Sequence, residues 1–117
     1  MTIKELIKKY YFHDSCITYI NYLSNISRLE ITIDFCQWAQ SWYKDDMPEN
    51  ILIKLVLSGI DAYNGIIGDI DYYSILNVDT DNNNKLWFYI LDDIHDKEYE
   101  YVFTPSDIEI EIIDETN

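Results

Sequence analysis

From Ile3 the apolar residues recur at helical spacing. Ile3, Leu6, Ile7, Tyr10 and Tyr11 fall on one side, with Lys4, Lys8 and Lys9 on the other. Thr2 followed by Glu5 matches a capping box, in which each side chain satisfies an orphan backbone N–H of the first turn. A short helix is therefore expected, ending by His13-Asp14-Ser15. Beyond it the period drops to two. Ile17, Tyr19, Asn21 and Leu23 alternate with Thr18, Ile20 and Tyr22, and Leu29, Ile31, Ile33 and Phe35 alternate with Glu30, Thr32 and Asp34. Ser24-Asn25-Ile26-Ser27 reads as the turn between two strands. A register that keeps one apolar face together opposes Ile17 to Phe35, Tyr19 to Ile33 and Leu23 to Leu29. It sets Tyr22 against Glu30 and Thr18 against Asp34 on the other face.

Further along, residues 36–43 either extend the second strand or break from it, and Lys44 to Asn50 is a loop. Ile51 to Leu57 resumes alternation, but Leu52 and Val56 make the other face apolar too, which predicts a strand near the sheet centre. All three glycines, Gly59, Gly65 and Gly68, lie close together and predict a bend. Strands are then expected over Asp71–Val78, Leu86–Leu91 and Tyr99–Phe103. A last one follows Pro105-Ser106-Asp107, where Ile108, Ile110 and Ile112 alternate with Glu109 and Glu111. One helix and about six or seven strands joined by short turns predict a single α+β domain over 1–117. Its sheet should be mostly antiparallel and twisted, with the helix packed on one face.

Charge adds a second layer. The 117 residues carry 8 basic and 22 acidic side chains, for a net charge of −14. Six basic groups nearly balance seven acidic ones up to Lys54, whereas after it Lys85 and Lys97 stand against fifteen carboxylates. Such a field repels nucleic acid and anionic lipid and speeds encounter with a basic protein. An acidic surface also serves solubility alone. Hydrophobic content of 48% excludes a disordered acidic tail. No apolar run approaches the roughly 20 residues of a membrane helix, and Met1 to Leu6 lacks the basic start and apolar centre of a signal peptide. The expectation is a soluble, cytoplasmic protein.

Several short patterns invite a chemical reading. Asp79-Thr80-Asp81-Asn82-Asn83 opens like a calcium loop. The required Gly and bidentate Glu are replaced by Asn84 and Ile90, so a hairpin tip is the better reading. His13, Asp14 and Ser15 are the residue types of a catalytic triad, yet consecutive side chains cannot converge as a triad does; Asp14 and Ser15 are expected to satisfy backbone groups. In the proposed register Cys16 lies opposite Cys36, a pair of small thiols rather than a disulfide. Trp38 and Trp42 would share one face if their segment is helical, giving with Tyr43 a platform for a sugar or other ligand, or else ordinary core. No metal site, cofactor loop or nucleophile motif is recognisable.

His13-Asp14-Ser15 after a short helix, the alternating Leu29–Phe35 strand, Leu55-Val56-Leu57-Ser58-Gly59-Ile60 and the Ile/Glu-alternating end together resemble a diffuse group of small bacterial proteins. Some of that group sit among the immunity proteins of toxin systems. The resemblance implies a non-enzymatic inhibitor, transfers no catalytic residue, and is compatible with an acidic surface. The leading expectation is a binding protein for a basic partner, such as a toxin or nuclease. Asp92, Asp93, Asp96, Glu98, Glu100, Glu109 and Glu111 would supply the field, with Tyr99 and Tyr101 as contact area. Rival expectations are a small ligand-binding domain or enzyme around Trp38, Trp42 and Tyr43, and a module that self-associates through an open sheet edge.

Overall fold

The computed structural model describes residues 1–81 and 84–114. The predicted capping box forms: Thr2 Oγ1 accepts the Glu5 N–H at 3.1 Å and Glu5 Oε1 accepts the Thr2 N–H at 3.0 Å. Helix α1 covers Ile3–Lys9 and buries Ile3 and Leu6. Seven strands follow: β1 (Cys16–Leu23), β2 (Arg28–Cys36), β3 (Asn50–Ser58), β4 (Gly68–Thr80), β5 (Leu86–Asp92), β6 (Lys97–Phe103) and β7 (Asp107–Asp114). They form one antiparallel sheet in the order β6-β5-β4-β1-β2-β3-β7, so the expected α+β architecture is the observed one.

That order puts β6 and β7 at opposite edges although only residues 104–106 join them. In a flat sheet, six steps of about 4.8 Å would hold the edges about 29 Å apart. The chain from Phe103 to Asp107 spans about 15 Å at most. The sheet must therefore roll up, and its inner face encloses one core. Ile17 and Ile20 meet Leu29, Ile31, Ile33, Phe35, Ile53, Leu55, Leu57, Ile75, Phe88, Ile90, Phe103 and Ile108 there, with Leu6 of α1. Residues 59–67 pack at the seam: Tyr63 lies 5.8 Å from Tyr22 and 6.1 Å from Tyr101, ring centre to ring centre.

The first hairpin departs from the expected register. Cys16 pairs with Asp34 and Ile17 with Ile33, then a bulge shifts Tyr19 onto Thr32, Tyr22 onto Leu29 and Leu23 onto Arg28. The extra residue, Thr18, inverts the faces beyond it: Ile20 is buried and Tyr19 is exposed. Cys16 therefore faces Asp34 rather than Cys36 across the β1–β2 ladder. Strand β3 lies beside the edge strand rather than at the centre, although Val56 is buried on its second face. Residues 37–39 break from β2 as a 3-10 turn, and β4 begins three residues earlier than expected, at Gly68.

Candidate functional site

The β5–β6 hairpin is built around a carboxylate that points inward. In β5, Leu86, Phe88, Ile90 and Asp92 alternate onto the core face, and Asp92 is only 3% exposed. Its Oδ1 accepts the N–H groups of Ile94 and His95 at 3.1 and 3.2 Å, and its Oδ2 lies 2.8 Å from His95 Nδ1. An ionised carboxylate only accepts, so that nitrogen carries the proton. Burial pushes the Asp92 carboxyl up, but the bonds from His95 and Ile94 outweigh it and hold it below its ordinary value. Tyr73, opposite Asp92 across the ladder and stacked on Tyr99, is pushed up to about 12 by burial, then by the Asp92 charge. Asp92 is thus a structural cap of the turn. It does not belong to the exposed set in which the sequence reading placed it.

The other carboxylates of this hairpin face solvent. Asp93, Asp96, Glu98 and Glu100 are all exposed, and among the described residues none of the four is in an ion pair. Asp93 accepts the Ser74 hydroxyl, and the turn closes through Asp96 at φ 52°. Glu98 and Glu100 line a shallow groove of about 500 Å³ with Leu76, Asn77, Tyr89, Ile90 and Tyr99. The Tyr89 ring stacks on Trp87 at 6.4 Å. Carboxylates beside an aromatic face suit a lysine or arginine side chain, through charge and through the ring quadrupole. Tyr99 and Tyr101, expected as contact area, both turn to the inner face: Tyr99 stacks on Tyr73 and reaches the groove only as part of its wall, and Tyr101 packs on Tyr63 and Phe103.

Glu109 and Glu111 form a second group, on β7, which among the described residues no ladder joins to β6, so they are not in register with Glu98 and Glu100. Glu109 stands opposite Val56, whereas Glu111 stands opposite Lys54 and lies 3.8 Å from Arg28 Nη2. Arg28 also holds Glu30 at 2.9 Å. The second group is therefore partly neutralised.

Family models, curated proteins and solved structures give no match to this chain.

The remaining sequence candidates resolve into structure. Ser15 is fully buried and its Oγ accepts the Cys36 N–H at 3.0 Å. Asp14, at φ 68°, donates its N–H to the Ile75 carbonyl at 3.0 Å, while His13 Nδ1 lies 2.7 Å from the Leu76 carbonyl. Each of the three has a backbone partner on another strand, which pins the corner between α1 and β1. Cys16 and Cys36 are free thiols, at 4.0 and 3.5 Å from the Asp14 carbonyl. Burial, the largest influence, pushes the Cys16 thiol up.

The tryptophans do not share a helical face. Trp38 is 52% exposed, while Trp42 donates its indole N–H to the Lys9 carbonyl at 2.9 Å and meets Tyr10 edge-on. An apolar cleft of about 230 Å³ includes Trp42 but neither Trp38 nor Tyr43 in its lining. At the supposed calcium loop, Asn82 and Asn83 lie outside the described residues. The flanking elements are strands, and Thr80 Oγ1 donates across the tip to the Lys85 carbonyl at 2.8 Å. Among the described residues no cluster of three His, Cys, Asp or Glu side chains is arranged to hold a metal ion, and no helix is long and apolar enough to cross a membrane.

Sequence reasoning missed Tyr89, Leu76 and His95. Tyr89 follows from the alternation that puts Phe88 and Ile90 inside, which turns the residue between them outward.

Proposed function

We propose that this chain binds a basic protein, as a non-enzymatic, immunity-type inhibitor of a cationic toxin or nuclease, and that it docks through the β5–β6 hairpin. The observation that carries the reading is the groove lined by Glu98 and Glu100, with Tyr89 and Tyr99 in its wall; in the adjoining turn Asp93 and Asp96 are exposed, and among the described residues neither is in an ion pair. Lys97 is the single cation among these residues, so the local field stays negative. Tyr89, on the outer face with Glu98 and Glu100, supplies a rigid contact surface and the carboxylates an attractive field. Nearby Ser74, Tyr73 and the Asp92 cap tie the hairpin to β4, so the surface is held ready before contact.

A pull-down from the native host, run at low and high salt, tests this. A basic protein should be retained at low salt and released at high salt. Recovery of no basic protein at either salt would refute the reading.

A further inference from the structure

The edge of β7 carries a second recognition feature. Ser106 N–H donates to the Ser58 carbonyl at 2.8 Å, which turns the backbone groups of Ser58, and by alternation of Val56 and Lys54, toward β7. Their partners Asp107, Glu109 and Glu111 must then face β3, and Ile108, Ile110 and Ile112 direct their N–H and C=O groups outward. The Ile108 carbonyl confirms that direction independently, because it accepts the Met1 amino group at 2.7 Å. Among the described residues no strand pairs with this edge, leaving the donors and acceptors of Ile110 and Ile112 presented in register.

The side chains of the same two residues lie on the concave side. Ile110 and Ile112 form one wall of the 230 Å³ cleft, whose other walls are mainly Tyr10, Phe35, Trp42, Ile51 and Ile53, with Lys9 and Gln37 at its polar margin. Ile112 is 57% exposed. A strand added to β7 would therefore place every second side chain over an apolar cleft and the alternate ones beside Glu111, which Arg28 partly neutralises, and Glu109, which among the described residues is in no ion pair.

A second copy of this chain is the wrong occupant. Antiparallel pairing about Ile110 sets Glu109 of each molecule against Glu111 of the other, and a shift by two residues sets Glu111 against Glu111. Both arrangements also join two molecules of charge −14.

We propose that the free edge of β7 and the cleft beside it accept an extended segment of a partner protein in which apolar and basic residues alternate. The basic half of that pattern rests on the functional reading above, while the strand pairing stands on the backbone geometry.

The test titrates the isotope-labelled protein with the capped peptide Lys-Ile-Lys-Trp-Lys-Ile-Lys and follows its amide resonances. The expected result is shifts at Ile110 and Ile112, with their hydrogen exchange slowed. A peptide N-methylated at its apolar residues keeps its charge but loses its donors and should not bind. A Glu-for-Lys peptide should fail too. Ile112→Lys, at a half-exposed position, should keep the fold by circular dichroism and weaken binding at least about tenfold. Undiminished binding of the N-methylated peptide, or shifts confined to Tyr89, Glu98 and Glu100, would overturn the edge proposal while leaving the cationic partner standing. Binding of the Glu-for-Lys peptide at the edge would leave the pairing standing and refute the basic pattern. Absence of any shift would overturn the edge proposal, and the pull-down would then judge the functional reading by itself.

Discussion

Ser15 and Cys36 are joined by a buried bond in which the serine hydroxyl accepts the cysteine N–H at 3.0 Å. The bond fastens the start of β1 to the end of β2, where the chain turns away into residues 37–39. Ser15→Ala would leave a buried N–H without a partner, and the expected cost is about 1–3 kcal/mol. Urea unfolding with an unchanged slope would register it as a lower midpoint. An unaltered midpoint would mean that the corner is not held this way.

Asp92 contributes to the response to acid. Its folded carboxyl lies below the ordinary value, so its contribution is complete above the ordinary carboxylate range. That contribution is lost as pH falls through the depressed folded value. Thermal unfolding followed from pH 6 down to pH 2 should show the wild type losing stability through this window. Asp92→Asn should be less stable at pH 6 and should lose less on acidification, because that carboxylate no longer titrates.

Gly59 and Gly68 both have positive φ, +78° and +96°, but their surroundings differ. A Cβ at Gly59 would lie 2.5 Å from the Ser106 hydroxyl and 3.0 Å from the Ser106 N, beside the bond that seats β7. A Cβ at Gly68 would have nothing within 4 Å. Gly68→Ala should therefore cost only the left-handed backbone, about 1 kcal/mol. Gly59→Ala should cost more, because Ser106 must also move. Equal midpoints for the two variants would contradict this.

Burial slows Cys16. Its thiol is pushed above its ordinary value, so less thiolate is present at neutral pH. Alkylation by iodoacetamide at pH 8 should run several-fold slower than for a short peptide thiol and reach the peptide's rate in denaturant. A rate equal to the peptide's in the folded protein would contradict the placement of Cys16.

Much of this architecture was legible because local patterns were unambiguous. Thr2 and Glu5 announce the helix start, the clustered glycines announce the bend after β3, and the Ile/Glu alternation announces β7. The bulge at Thr18 was hidden, since Ile17/Tyr19 and Ile20/Tyr22 make both faces of β1 apolar and neither register wins from sequence alone. Sheet order was equally hidden, because no local signal says that β6 and β7 are opposite edges. That omission grouped Glu109 and Glu111 with Glu98 and Glu100. Asp92 was within reach: the alternation of Leu86, Phe88 and Ile90 already points the next residue in step inward, and a turn cap is a common use of aspartate.

The most direct measurement follows association between the protein and the basic partner recovered by the pull-down, over ionic strengths from about 0.05 to 0.5 M. The comparison is with a variant carrying Asp93→Asn, Asp96→Asn, Glu98→Gln and Glu100→Gln. The wild-type rate should fall steeply with salt, while the variant associates slowly at every salt and the two converge at the top of the range. Equal rates and equal salt dependence for the two proteins would contradict docking through the β5–β6 carboxylates.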